Sequence, residues 1–91
     1  MPITVTLPSV LSRLADDRRT LEASGPTVGA AVAELSARYP GLAPRLVDDT
    51  GAPYPFVTFY LNDEDIRFAG GFDAPLGDGD ELTIVPAVAG G

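Results

Sequence analysis

Three residue types with reactive side chains are missing from this chain, which contains no cysteine, no histidine and no lysine. Without thiols and imidazoles, the usual transition-metal, iron–sulfur and Cys/His nucleophile sites lack their ligands. All six basic residues are arginine, so no side chain can form a Schiff base or accept an isopeptide bond. These absences argue against an enzyme and against a bound metal or cofactor. Any chemistry is expected to use a backbone terminus or the groups of a partner.

Long apolar runs are also absent. No segment approaches the length needed to span a bilayer, and the first residues, Met1–Val5, have neither a basic nor an apolar signal region. The sequence therefore predicts a cytoplasmic protein that makes no membrane contact.

Positive charge is scarce in the second half of the chain. The net charge is −7, which divides into +1 for residues 1–45 and −8 for residues 46–91. An acidic half repels phosphate backbones, so nucleic-acid binding is disfavoured. The same charge could steer the protein toward a basic patch on a protein partner, or serve solubility alone.

The 91 residues, 45% of them apolar, are enough for one small folded domain. The alternation in Ile3–Leu7 predicts a half-buried strand, and Arg18–Ala23 predicts a second strand that forms an antiparallel hairpin with it, across a loop near residues 11–17. Thr27 is a suitable N-cap for an amphipathic helix, which Pro40 ends. The patterns that follow predict an irregular loop over residues 42–55, strands over 56–61 and 66–68, a looped segment over 69–76, a turn over 77–80 and a final strand over 81–85.

This order of elements is that of the ubiquitin-like β-grasp arrangement, an α+β fold. In it, a mixed sheet of four to five strands wraps around one main helix. By analogy to that fold, the first and last strands pair in parallel at the centre of the sheet. Residues 1–85 are predicted to form the domain, and residues 86–91 a flexible C-terminal Gly-Gly tail.

Strand parity divides the aromatic residues between two faces. Val57, Phe59 and Leu61 are expected to meet the helix, because side chains alternate along a strand. Thr58 and Thr83 then point the other way. A contiguous apolar patch on that side would mark a docking surface, unless a loop covers it. The candidate docking residues are Phe56, Tyr60 and Val85, which Phe68 and Phe72 could join.

Two acidic segments are predicted to be turns. Asn62–Asp65 lacks the ligand spacing and the glycine of an EF-hand loop. Gly77–Asp80 carries acids and precedes a strand, which does not suit a phosphate cradle.

The C-terminal segment is the most informative feature. Residues 86–91 are Pro86, Ala87, Val88, Ala89, Gly90 and Gly91. Two glycines add no core side chain and lose much conformational freedom on ordering. They suit insertion into a partner's narrow active site, although an ordinary frayed terminus is the alternative interpretation.

Residues 78–91 resemble the C-terminus of the ThiS/MoaD ubiquitin-like sulfur carriers, with an Asp-Gly-Asp turn, a strand and a Pro-x-Val-x-Gly-Gly end. Within that family, Tyr60–Phe68 followed by Gly70-Gly71 is similar to the branch that serves an actinobacterial type of cysteine synthesis. The resemblance covers essentially the whole chain.

The resemblance implies that Gly91 is the reactive site and that residues 86–90 are recognised by partners. An E1-like protein would adenylate the Gly91 carboxylate with ATP, and sulfur from a donor would then produce a thiocarboxylate. A PLP-dependent cysteine synthase would receive the sulfur on an activated serine such as O-phosphoserine, and a metallopeptidase would release the cysteine. Three alternatives stay open: the small subunit of molybdopterin synthase, a non-covalent β-grasp adaptor, and a modifier that conjugates Gly91 to protein lysines.

Overall fold

The computed structural model describes residues 2–86, so Met1 and the predicted site residues Ala87–Gly91 lie outside the described part. Five strands and three helices make up the described chain, and two 3₁₀ turns, Ile66–Phe68 and Gly71–Asp73, lie between the last two strands. The strands and helices are, in chain order, β1 (Ile3–Thr6), α1 (Ser9–Ser12), β2 (Thr20–Ala23), α2 (Val28–Arg38), α3 (Ala43–Leu46), β3 (Val57–Leu61), β4 (Glu64–Asp65) and β5 (Glu81–Pro86).

The strands form one mixed sheet in the order β2-β1-β5-β3-β4. β1 and β5 pair in parallel, whereas β2 pairs with β1, and β3 with both β5 and β4, in antiparallel fashion. The predicted α+β fold, with the first and last strands paired in parallel inside a five-stranded sheet, is confirmed.

Helix α2 covers one face of this sheet as the sequence predicts. The Thr27 hydroxyl accepts a hydrogen bond from the backbone N–H of Ala30 at 3.2 Å, which satisfies one of the free donors at the helix start. Glu34 and Arg38 form the expected i,i+4 ion pair at 3.7 Å. One stripe of the helix is completely buried, consisting of Val28, Ala31, Val32 and Leu35.

Two segments that the sequence predicts to be loops contain single helical turns. Residues 9–12 form α1, and residues 43–46 form α3 within the predicted crossover loop. Both turns bury apolar residues spaced four apart, Leu7 and Leu11 around α1 and Leu42 and Leu46 around α3. Tertiary burial stabilises such short helices, because one turn is too short to be stable alone.

The predicted strand Ile66–Phe68 is wrong. The turn before it is shorter than predicted and consists of Asn62 and Asp63, with φ values of 50° and 70°. Two consecutive positive φ values are typical of a two-residue type I′ hairpin. Strand β4 is therefore Glu64–Asp65. A 3₁₀ turn follows because Ile66 is buried and the Asp65 side chain accepts a hydrogen bond from the Arg67 N–H at 2.9 Å.

The position of Phe72 also differs from the prediction. Its ring packs edge-to-face on Phe59, with ring centroids 5.3 Å apart, and Phe59 is buried in the core. Gly29 on α2 permits this approach, since a Cβ there would lie 3.0 Å from the Phe72 Cβ. Phe72 thus lies on the core side of the sheet and does not share a face with Tyr60.

Candidate functional site

Strand β5 leads directly into the predicted tail and lies at the centre of the sheet. It pairs with β1 on one side and with β3 along five residues on the other, ending with Pro86 opposite Val57. The strand extends one residue beyond the predicted limit at Val85. Pro86, which has no N–H to donate, is its last residue, a position that a sheet tolerates. Pro86, from which the C-terminal segment continues, therefore belongs to the central strand of the sheet.

The start of β5 is fastened by a turn of side-chain hydrogen bonds. The Asp80 carboxylate accepts from the Gly77 N–H at 2.7 Å and from the Asn62 side-chain amide at 3.1 Å. The Asn62 side-chain oxygen in turn accepts from the Glu81 N–H at 3.0 Å. The backbone hydrogen bond from Gly77, followed by that from Asn62, lowers the pKa of Asp80 below its ordinary value. The predicted turn over residues 77–80 is confirmed.

Alternation along β5 separates its stabilising side chains from its accessible ones. Leu82 and Ile84 are buried against the helix side, whereas Thr83 is partly accessible and Val85 is 40% exposed. On β3, Tyr60 lies opposite Thr83 and Thr58 lies opposite Val85. Directly paired residues share a face, so these four residues form one surface, called here the outer face: Thr58, Tyr60, Thr83 and Val85.

An ion pair borders the outer face. Asp65 on β4 lies opposite Tyr60, and its carboxylate binds the Arg67 guanidinium with a shortest distance of 2.6 Å. The hydrogen bond from the Arg67 side chain lowers the pKa of Asp65. The Asp65 carboxylate is therefore ionised at neutral pH, as its ion pair with Arg67 requires.

The remaining predicted docking residues are dispersed. Phe56 comes just before β3 and packs edge-to-face on Tyr54, with ring centroids 5.4 Å apart. Phe68 lies on the 3₁₀ turn after β4 and is 80% exposed. Tyr60 and Val85 are close together on the outer face, whereas the structure joins Phe56 to a different surface.

That surface is a groove of about 450 Å³ at the end of the sheet where β5 finishes. It is called here the root groove and is defined by Val10, Arg13, Leu14, Arg45, Phe56 and Pro86. The sequence patterns do not predict this groove, because they indicate loops over residues 11–17 and 42–55. The spacing of four between Leu7 and Leu11, and between Leu42 and Leu46, was the available signal.

Residues 2–86 provide neither a membrane-spanning helix nor a cluster of metal ligands. No helix there combines the length and the apolar character needed to cross a membrane. No three acidic side chains in this range cluster as a metal site would require.

A mixed five-stranded sheet around one main helix, with the first and last strands parallel at its centre, defines a ubiquitin-like β-grasp protein. The chain belongs to the ThiS family, whose model matches residues 5–91.

Named relatives specify the family further. The chain is 44% identical to the sulfur carrier protein CysO of Mycobacterium tuberculosis, over the full length of both proteins. It is 40% identical to small archaeal modifier protein 3 of Haloferax volcanii, over 71% of this chain and 70% of that protein. The structure matches the Amycolatopsis orientalis BexX/CysO complex with a TM-score of 0.90, at 42% identity, covering 98% of this chain and 99% of the other.

The chain is therefore a small sulfur carrier protein similar to CysO, and a carrier rather than an enzyme. In the Amycolatopsis complex, CysO is bound to a second protein, BexX.

Proposed function

We propose that this protein carries sulfur as a thiocarboxylate on Gly91 and delivers it for the synthesis of cysteine in the cytoplasm. The observation that carries the proposal is the full-length similarity to the sulfur carrier CysO. The position of β5 supports it, because the central strand of the sheet leads into Ala87–Gly91.

The carrier chemistry has two steps. An E1-like partner transfers AMP from ATP to the Gly91 carboxylate, which releases pyrophosphate and converts a poor leaving group into a good one. A sulfur nucleophile from a donor protein then attacks the Gly91 carbonyl carbon and displaces AMP. If the nucleophile is hydrosulfide, loss of AMP gives the thiocarboxylate directly. If it is a persulfide on the donor, a second thiol cleaves the S–S bond of the acyl disulfide by exchange, which leaves the thiocarboxylate on Gly91 and a disulfide on the donor. ATP and the sulfur donor are used by the partner, and no cofactor belongs to the carrier.

Delivery uses the thiocarboxylate sulfur as a nucleophile. A PLP-dependent cysteine synthase would bind an activated serine such as O-phosphoserine and release its phosphate. The thiocarboxylate sulfur would then bond to the carbon that carried the phosphate. An S-to-N acyl shift leaves cysteine joined to Gly91 by an amide bond. A metallopeptidase hydrolyses that bond, which frees cysteine and restores the carboxylate.

The chain's own residues suit this role. The absence of cysteine and lysine removes two internal nucleophiles that would attack an activated Gly91. The six residues from Pro86 to Gly91 reach about 20 Å when extended, at about 3.3 Å per residue. That reach lets Gly91 enter a partner's active site while the domain stays outside.

The outer face is proposed to contact the activating protein. Tyr60 supplies an aromatic ring and Val85 an exposed apolar side chain on strands that the sheet holds rigid. Aromatic anchors of this kind commonly dominate interface energy. Phe68, beyond β4, is proposed to contribute at the border of this surface, and Phe56 from the root groove.

Intact-mass measurement tests the proposal. The protein is incubated with ATP, a sulfur source and the cognate activating protein, and we expect a gain equal to replacing one oxygen by sulfur, located at Gly91. Gly90→Val is the matched variant: it should fold normally and gain no sulfur, because the added side chain blocks a narrow channel. An unchanged wild-type mass, under conditions that convert a known carrier, would contradict the proposal.

Protein modification is the second candidate function. The similarity to small archaeal modifier protein 3 favours it. In this case the activated Gly91 acylates lysines of other proteins. Immunoblots of the cellular protein should then show conjugates of higher mass that disappear when Gly91 is deleted, whereas a pure carrier gives no such conjugates.

A further inference from the structure

The root groove has an apolar wall that the rest of residues 2–86 leaves exposed. Val10 and Phe56 are both 61% exposed, and they are two of the four large apolar side chains exposed within residues 2–86. The Phe56 ring packs edge-to-face on Tyr54. An exposed apolar patch of this kind is typical of a protein-binding site.

The same groove carries two cations that have no ion-pair partner among residues 2–86. Arg13 comes from the segment after α1 and Arg45 from α3, and both are exposed. Neither forms an ion pair with a carboxylate of residues 2–86. Both residues belong to the half of the chain that carries +1, whereas the whole chain carries −7. The groove is therefore a basic surface on an otherwise acidic protein.

We propose that the root groove binds a segment of the activating protein in which carboxylate side chains flank an apolar one. Guanidinium groups form two-point hydrogen bonds with carboxylates, so Arg13 and Arg45 select the acidic residues. The apolar residue packs against Val10 and Phe56. This inference rests on the proposed function, which requires such a protein.

The place of the groove supports this occupant. Pro86 forms part of its wall, so the groove borders the point from which Ala87–Gly91 continue. A protein that takes those residues into its active site must lie against the end of the sheet, where it covers the groove. Binding of the C-terminal segment and binding of the groove are therefore parts of one contact.

A pair of charge-reversal variants tests the inference. Arg13→Glu/Arg45→Glu reverses the groove, whereas Arg18→Glu/Arg19→Glu makes the same charge change nearby, outside the residues that line it. Calorimetric titration with the cognate E1-like protein should give a Kd raised roughly tenfold or more for the first variant and about twofold or less for the second. Phe56→Ser should also raise the Kd several-fold, through lost apolar contact. Should the first variant fail to fold, Arg13→Gln/Arg45→Gln replaces it and is expected to give a smaller increase in the same direction.

Several results would overturn the inference. Equal weakening by the two charge-reversal variants would show only long-range attraction. A concentration-dependent dimer in sedimentation that Arg13→Glu/Arg45→Glu abolishes would assign the groove to a second copy. NMR shifts at Val10 and Phe56 on deleting residues 87–91 would assign it to the chain's own C-terminus.

Conversion assays separate the two proposals. If wild-type protein gains no sulfur at saturating activating protein, the proposed function fails and the groove inference fails with it. If wild-type protein is converted and Arg13→Glu/Arg45→Glu needs no more activating protein for half-maximal rate, only the groove inference fails.

Discussion

The two faces of the sheet are built from the same strands but differ in what covers them. On the inner face, Leu82, Ile84 and Phe59 are at most 2% exposed beneath α2 and its neighbours. On the outer face, their sequence neighbours Thr83 and Tyr60 are only partly buried. One step along a strand therefore moves a side chain from the core to an accessible surface.

Because successive side chains of a strand point to opposite faces, the residues that stabilise the fold differ from those available to contact a partner. Burial of large apolar side chains stabilises the inner face, by about 1.5–3 kcal/mol for each fully buried side chain. The outer face contributes less to the stability of the fold, so its residues are available for contact with another protein. Substitutions on the two faces should consequently change different measurements.

The largest expected effect comes from the inner face. Phe59→Ala removes a buried ring that contacts Phe72, and we expect a loss of about 3–5 kcal/mol in the free energy of unfolding, measured by urea denaturation. The control is Phe68→Ala, which removes a ring that is 80% exposed and should change stability by no more than about 0.5 kcal/mol. Comparable losses for both rings would mean that the two sides do not differ as described.

On the outer face, the main effect should be on binding. Val85→Asp places a charge on an exposed apolar site, and we expect the Kd for the activating protein to rise about tenfold, which corresponds to about 1.4 kcal/mol. Stability should fall by about 1 kcal/mol or less, the span of strand propensities.

A charge at the edge of the sheet is the control for Val85. Thr20 is exposed on the edge strand β2, and Thr20→Asp should leave the Kd within about twofold if contacts near β3 and β5 dominate. Thr20 shares the outer side of the sheet through its pairing with Thr6, which pairs with Thr83. If the two variants weaken binding equally, the effect is therefore not specific to the part of that side formed by β3 and β5.

The helix cap offers a weaker way to disturb the inner face. Thr27→Ala removes the acceptor for the Ala30 N–H, and we expect a loss of about 1 kcal/mol in the free energy of unfolding. Thr27→Ser keeps a hydroxyl acceptor and should recover most of that loss. Binding of the activating protein should stay unchanged in both variants, because Thr27 lies on neither the outer face nor the root groove.

Regular periodicity made most of the fold predictable from sequence. The alternation in β1 and β3 and the apolar stripe of α2 each act through local geometry. The turn over residues 77–80 is also local, because Asp80 accepts a hydrogen bond from the Gly77 N–H three residues earlier. The face of Tyr60 and Val85 follows from the same alternation. The carrier function was inferred from the resemblance of the C-terminal segment to the ThiS/MoaD family, and the match to the ThiS family model supports that resemblance.

Elements that depend on tertiary contacts were not predicted from the sequence. α1 and α3 are single turns whose stability depends on burying Leu11 and Leu46, and no local pattern of that length is strong. The prediction that Phe72 joins the face of Tyr60 was wrong, because its ring position depends on the approach of its turn to Gly29, which is distant in the sequence. The root groove depends on both α1 and α3, so it could not be derived without them.

The smallest expected effect concerns acid stability at the start of β5. Hydrogen bonds from Gly77 and Asn62 lower the folded-state pKa of Asp80 below 3.8, so the ionised form stabilises the fold above that value. The contribution is lost as pH falls from about 4 through the lowered pKa, because protonation then favours the unfolded state. Asp80→Asn removes this titration, so its Tm should fall less steeply than the wild-type Tm between about pH 5 and pH 2.5. Asp49→Asn removes an exposed carboxylate elsewhere and serves as the reference. Identical slopes for Asp80→Asn and the wild type would mean that the turn contributes nothing to the pH dependence, and that β5 is fixed by its buried face alone.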